Sequence, residues 1–309
     1  MKSSTAVLPP LLILDRCLQE WLLEDIGRGD RTTQSLLDAA TQTRKAQWIV
    51  KEAGMIAGLP IAARVFQLLN QEVQFTPLVA EGQWCDYSSG MLPEERPVIA
   101  TIEGPLDALL MGERVALNLA MRLSGIATMT HKYAAQIADL PAQLADTRKT
   151  IPGLRLLEKY ASQVGGAVNQ RLGLDDAVLI KDNHIAAAGG IGNAITQIRS
   201  RIPYPLTIEV ETETLAQVQE ALAYKADIIM LDNMPLEMMR QGVQLIRGKS
   251  HGSAVTGLRE NPVKIEASGN ITIETIRAVA ETGVDYISTS APITRSTWLD
   301  LSMKVSSIG

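Results

Sequence analysis

The chain reads as an α/β protein in which a small α+β domain precedes a barrel of parallel strands and crossover helices. Six short apolar runs in its second two-thirds each stop on charged or small polar residues. Leu144-Ala145 stops at Asp146, Ala177 to Ile180 at Lys181, and Leu206 to Ile208 at Glu209-Val210-Glu211. Ile228 to Leu231 stops at Asp232, Ile265 at Glu266, and Val284 to Ile287 at Ser288. Helix-like stretches separate the runs, which is the pattern of parallel strands joined by crossovers. The first third lacks this strand-to-helix beat and is expected to fold as its own domain.

Taken in order, Leu12 to Leu23 has the apolar spacing of a helix and ends before a Gly/Asp-rich loop from Glu24 to Thr33. Ala46 to Val50 alternates like a strand, Gly54 to Gly58 follows as a short segment, and Pro60 to Asn70 returns to helical spacing. Pro97 to Glu103 predicts another strand. Glu113 to Leu123 is a strong helix with Val115, Leu119 and Leu123 on one face. Ser124-Gly125 is expected to interrupt it before a second helix to Ile137. Ser250 to Pro262 breaks the later beat as a polar insertion, read as a surface loop. Trp298 to Val305 reads as a strand that leaves the barrel. The expected division is therefore 1–116 for the first domain, with 296–309 returning to it, and 117–295 for the barrel.

With 309 residues and 46% hydrophobic content the chain can bury a sizeable core. Its formal net charge of -5 argues against a general nucleic-acid binder, so any cationic pocket must be local. Cys17 and Cys85 have no ligand-like spacing and read as thiols of a reduced, cytoplasmic protein. The apolar stretch Ala6 to Leu14 is broken by Pro9-Pro10, and no run is long enough to span a bilayer.

The residues just past barrel strand ends converge on one face, where ligands bind. Arg148-Lys149 stands at the first such end, and Thr150-Ile151-Pro152 is expected to open a helix with a hydroxyl cap and an early proline. Two cations beside exposed backbone N–H groups suit an anion; a solvated basic loop is the alternative. Arg155 and Lys159 read as surface residues pairing with Glu158. Gly165-Gly166 opens a loop through Asn169-Gln170-Arg171. Arg171 and Lys181 would join Arg148 and Lys149 in a four-cation pocket for a multiply charged anion. A Schiff-base role for Lys181 is the competing reading. Glu211 and Asp232 suit ribose hydroxyls or a hydrated Mg2+, with simple charge balance against Lys181 as the alternative. Ser268-Gly269-Asn270 and Ser288-Thr289-Ser290 supply N–H-rich turns where barrels hold phosphate. His184 is expected to orient Asp182 or a backbone group, with a general-acid role as the alternative.

These motifs carry a family resemblance. Asp146-Thr147-Arg148-Lys149-Thr150 with Pro152-Gly153-Leu154-Arg155, Leu179 to His184, Leu231-Asp232-Asn233-Met234 and Ser268-Gly269-Asn270 closely resemble quinolinate phosphoribosyltransferases. Glu24-Asp25 with Gly29-Asp30, Gly58, Glu113-Arg114 with Asn118, and Ser124 to Thr128 match as well. The resemblance covers nearly the whole chain. It implies an N-terminal α/β open sandwich joined to an incomplete (β/α) barrel of the type II phosphoribosyltransferase kind. It also implies conversion of quinolinate and phosphoribosyl pyrophosphate to nicotinate mononucleotide, pyrophosphate and CO2 with Mg2+, a step of de novo NAD biosynthesis.

By the same resemblance the protein is a homodimer, or a hexamer of dimers, with a shared active site; from the charge and the apolar runs above, no nucleic-acid or membrane partner is expected. Arg114 would come from the partner subunit to join Arg148, Gln170, Arg171 and Lys181 around quinolinate. Lys149 would face pyrophosphate, Glu211 and Asp232 would serve ribose and metal, and Ser268, Gly269, Asn270, Ser288 and Ser290 would line the phosphate side. Lys149, Lys181, Glu211 and Asp232 are the expected catalytic residues. The family usually has His at position 170 and glycine near 290; here Gln170 can donate a hydrogen bond but carries no charge. Competing readings are a same-fold enzyme with another anionic acceptor, such as the homologue found with molybdate transport systems, and a ligand-binding dimer without turnover.

Overall fold

The computed structural model describes residues 6–35, 42–250 and 263–306. The expected insertion at 250–262 lies outside the described residues apart from Ser250, as does His251. In order the elements are α1 (Leu11–Ile26), α2 (Arg31–Gln34), β1 (Thr43–Val50), β2 (Gly54–Met55), α3 (Leu59–Leu69), β3 (Gln74–Pro77), β4 (Trp84–Cys85), β5 (Val98–Pro105) and α4 (Leu106–Ala135). Then come β6 (Gln143–Ala145), α5 (Arg155–Val164), β7 (Val178–Ile180), α6 (Asp182–Ala188), α7 (Ile191–Arg199), β8 (Ile208–Thr212), α8 (Leu215–Ala223) and β9 (Ile228–Asp232). The chain ends with α9 (Leu236–Ser250), β10 (Lys264–Ser268), α10 (Ile276–Ala280), β11 (Tyr286–Ser288), α11 (Ala291–Thr294) and β12 (Leu301–Val305).

Two compact units result: the described parts of 2–131, 151–166 and 295–309 form one, and 132–150 with 167–294 form the other. In the first, a four-stranded antiparallel sheet runs β12-β1-β5-β3. Buried Trp48, with Phe66 and the neighbouring Phe75, makes an aromatic cluster with ring centroids 5.4 to 6.4 Å apart. β12 pairs with β1 from Ala46 opposite Val305 to Val50 opposite Leu301, so the chain's last strand belongs to this sheet.

Several boundaries differ from the sequence expectation. α4 runs unbroken through Ser124-Gly125 for 30 residues, where a break was expected. A Cβ at Gly125 would stand 1.9 Å from the Thr297 carbonyl oxygen, so this glycine serves close approach within a helix instead of ending one. The unit boundary accordingly falls at 131/132, not 116/117, and 151–166 joins the first unit. Glu24 and Asp25 complete the last turn of α1; the loop is confined to 27–30, after which Asp30 caps α2 by accepting from Thr32 N (2.9 Å) and Thr33 N (3.1 Å). α5 starts at Arg155 without a side-chain cap, later than the expected Thr150 start.

Lys159 is fully buried, contrary to its expected surface place, and Glu158 is also buried. Glu158 Oε1 accepts from Arg122 Nη2 (2.7 Å) and Nε (3.1 Å), and its Oε2 accepts from Ile151 N (3.0 Å). Removing one member of such a pair strands a charge in low dielectric. Arg122→Met should therefore cost about 3–5 kcal/mol in denaturant unfolding; a loss below about 1 kcal/mol, the surface-pair range, would contradict this account.

In the second unit six parallel strands follow the order β6-β11-β10-β9-β8-β7. Val168 bridges in parallel to Ala145 on the free side of β6, while among the described residues β7 pairs only with β8. The order is that of a barrel with one opening, between the Val168 edge and β7. Among the described residues, no helix is long and apolar enough to cross a membrane.

Candidate active site

Strand register decides which side chains of the second unit share a face. Leu179 on β7 pairs with Glu209 on β8, and Glu211 pairs with Met230 on β9. Met230 and Asp232 pair with Glu266 and Ser268 on β10, Ser268 with Ser288 on β11, and Ser288 with Ala145 on β6. Since directly paired residues point the same way and the side-chain period is two, Glu209, Glu211, Asp232, Glu266, Ser268 and Ser288 lie on one face. Gln170, beyond the β6 edge, reaches Glu209 with its Nε2 at 3.3 Å, which places that face on the inside of the curve.

At the rim, Lys181 Nζ forms an ion pair with Glu211 Oε2. The Lys181 side chain is 46% exposed and that of Glu211 15%, so the cation can meet a ligand from solvent while the carboxylate holds it. His184 Nδ1 accepts from Lys181 N (3.0 Å), the backbone-orienting role expected of it. Asp232 Oδ2 accepts from Asn233 Nδ2 (2.7 Å), and Asn233 Oδ1 accepts from Asn270 Nδ2 (3.0 Å). Asn233 thus ties the β9 end to the β10 end, a link absent from the expected site.

Gly269, at φ 96°, sits where a Cβ would stand 2.2 Å from Asn233 Oδ1 and 2.9 Å from Asn233 N. Gly269→Ala should lower unfolding free energy by about 1–3 kcal/mol through the positive φ and this clash. Unchanged stability would show that the β9 and β10 ends are not locked.

Around β6, buried Asp146 accepts from Gln170 N (2.9 Å), and Thr147 Oγ1 accepts from Lys149 N (3.0 Å). The Arg148-Lys149 segment is therefore a folded turn with Lys149 exposed and Arg148 half-buried. Arg171 Nη1 donates to the Ala177 carbonyl (3.1 Å). Burial, and then the Arg148 charge, pull the Arg171 guanidinium below its usual range, while Glu209 opposes the shift. Arg148 Nε and Arg171 Nε are both buried without a hydrogen-bond partner. Two adjacent guanidinia with unmet donors form a site suited to a multiply charged anion.

Ser268 and Asn270 flank the turn after β10. Ser288 is buried, 2% exposed, with its hydroxyl on Glu266; Ser290 closes the next turn, its carbonyl accepting from Ile293 N and Thr294 N. Below Glu211 and Ser268 lie Glu209 and Glu266, 5% and 4% exposed, which the sequence reading did not single out. Burial pushes both carboxyls up, and the neighbouring Glu266 adds to the rise of Glu209 to about 9. The available signal was the spacing Glu209-Val210-Glu211 and Glu266-Ala267-Ser268, two inward positions per strand.

No group of three or more His, Cys, Asp or Glu side chains suited to a metal ion occurs among the described residues. Glu211 and Asp232, on neighbouring strands, are hard oxygen donors that fit a Mg2+ retaining water or substrate oxygens in most of its positions. In the first unit, exposed Arg114 lines a recess of about 300 Å³ with Trp21, Glu24, Asp25, Asn118 and Leu154.

Residues 30–124 match the model of the quinolinate phosphoribosyl transferase N-terminal domain, and residues 126–304 that of its C-terminal domain. The chain belongs to the quinolinate phosphoribosyltransferase family. A family relative from Synechocystis sp., a probable nicotinate-nucleotide pyrophosphorylase (carboxylating), is 56% identical over 299 residues, covering 96% of this chain and 94% of that one. Its Bacillus subtilis counterpart is 42% identical over 294 residues, covering 95% and 94%. The crystal structure of NadC from Streptococcus pyogenes superposes with a TM-score of 0.86 at 38% identity, covering 98% of this chain and 100% of that chain. The nicotinate-nucleotide pyrophosphorylase from Francisella tularensis gives 0.84 at 37%, covering 96% and 98%. A small α/β domain and an incomplete parallel barrel are thus the family fold.

Proposed function

We infer that this chain transfers the phosphoribosyl group of phosphoribosyl pyrophosphate to quinolinate, releasing pyrophosphate and CO2 and forming nicotinate mononucleotide for de novo NAD synthesis. The observation that carries this reading is the pair of crowded guanidinia, Arg148 and Arg171, with buried unpartnered Nε atoms on the rim that also presents Glu211 and Asp232. A pyridine dicarboxylate supplies the charge such donors call for. The family membership supports the same assignment.

Arg148, Gln170, Arg171 and Lys181 hold the quinolinate carboxylates and aim the ring nitrogen at the ribose anomeric carbon. The nitrogen lone pair forms the new bond as the bond to pyrophosphate breaks, through a ribosyl state with cationic character. Lys149 meets the pyrophosphate charge, and Glu211 and Asp232 face the ribose, where fixed carboxylates favour developing positive charge. Bound Mg2+, held by Glu211 and Asp232, would neutralise pyrophosphate oxygens. Ser268, Gly269, Asn270, Ser288 and Ser290 form the phosphate side, the turns giving backbone N–H groups. The ring nitrogen, now cationic, stabilises the electron pair left on the adjacent carbon as its carboxylate departs as CO2, and that pair then takes up a proton.

Arg114 acts from the partner subunit of a homodimer in this reading, and the free thiols Cys17 and Cys85 agree with a reducing cytoplasmic setting. Carboxyl-labelled quinolinate should release CO2 only when both phosphoribosyl pyrophosphate and Mg2+ are present. Binding of both substrates without release would move the assignment to a ligand-binding protein or another acceptor. Mixing Arg114→Ala with Lys181→Ala protein should restore activity in verified heterodimers, in which one site keeps both residues; heterodimers with no recovery would refute a shared site.

A further inference from the structure

Barrel interiors are filled mostly by branched apolar side chains, yet the level beneath this rim holds two carboxyl groups. Glu209 on β8 and Glu266 on β10 come from alternate strands, as members of one barrel layer do, and lie within hydrogen-bonding reach of each other. Neither touches the reacting atoms in the mechanism above. Placing two acids side by side out of water is costly, and an apolar pair of similar volume would fill the space without that cost. Each also keeps one buried oxygen, Oε1, without a hydrogen-bond partner outside the pair.

Their other contacts point upward to the acceptor site. Glu209 Oε2 accepts from Gln170 Nε2 (3.3 Å), and the Ser288 hydroxyl hydrogen-bonds Glu266. Gln170 is held at its other end by Asp146, through its backbone N–H. The charged groups around the pair are thus Arg171 directly, Arg148 beside it, and the Lys181–Glu211 ion pair at the rim.

We propose that Glu209 and Glu266 are positioning residues for the acceptor: as a buried carboxyl pair they orient the Gln170 amide, and so set affinity for the pyridine dicarboxylate without contacting it. This rests on the functional reading above. It also accounts for Gln170, since an uncharged amide keeps a donor to Glu209 where a charged ring would add a third cation beside Arg148 and Arg171.

The test measures the quinolinate dissociation constant by calorimetry, with kcat and both KM values, in Glu209→Ala, Glu209→Gln and Gln170→Leu. Glu209→Ala should weaken quinolinate about tenfold, the loss of one good hydrogen bond, with the KM for phosphoribosyl pyrophosphate held within about twofold. Glu209→Gln, whose amide can still accept from Gln170 and donate to Glu266, should recover most of that loss. Gln170→Leu should match Glu209→Ala, and the double variant should be no worse than either. Equal changes in both KM values, or Glu209→Gln as poor as Glu209→Ala, would overturn the role. If Glu209→Ala fails to fold, Glu209→Gln near wild type with Gln170→Leu weak for quinolinate alone supports it, and any other pairing overturns it. A wild type that neither binds nor turns over quinolinate removes both readings; a normal wild type with indifferent variants removes only this one.

Discussion

Parallel register is the constraint on which the catalytic unit depends. From β7 to β11 each strand pairs in step with the next, so one choice of face at Glu209 propagates through Met230, Glu266 and Tyr286. A one-residue slip in any strand would turn its functional side chain outward. The apolar positions of the alternate face, Val210, Ile229, Ile265 and Ile287, are essentially buried. Their burial, worth roughly 1.5–3 kcal/mol per side chain, is what holds the register. Core packing and site geometry are therefore one property of the sheet.

On that frame the site is arranged by charge. Cations enter from the loops after β6 and β7, where Arg148, Arg171 and Lys181 gather, and carboxylates from the strands themselves. Among the described residues, the Lys181–Glu211 pair is the one ion pair of the rim. Arg148 and Arg171 remain crowded, and the strain of like charges at low solvation is relieved when an anion enters. The carboxyl layer beneath reaches this site through the Gln170 amide, without occupying the place of the substrate. A protein of formal net charge -5 thus still gathers cations locally.

Legibility in the sequence followed the physics of each signal. The six strands were visible because apolar runs ending on polar residues need no long-range information. Their ends were less visible: β10 was expected to stop before Glu266, whereas it continues to Ser268, while β8, expected to end at Glu211, runs to Thr212. A glutamate in a strand reads as a terminator when its partner is unseen. Ser124-Gly125 read as a helix break for a similar reason. Propensity disfavours glycine in a helix by about 1 kcal/mol, but close contact with the 297–298 backbone requires it there.

Fold class and family were already carried by the sequence alone, because these follow from local periodicity and from motifs read in order. Only the tertiary structure decided that Lys159 and Glu158 are buried, that Asn233 ties two strand ends together, and that Glu209 and Glu266 meet beneath Gln170. Each of those facts joins residues brought together by strand order and packing, and separation in sequence hides such pairs until the register is known.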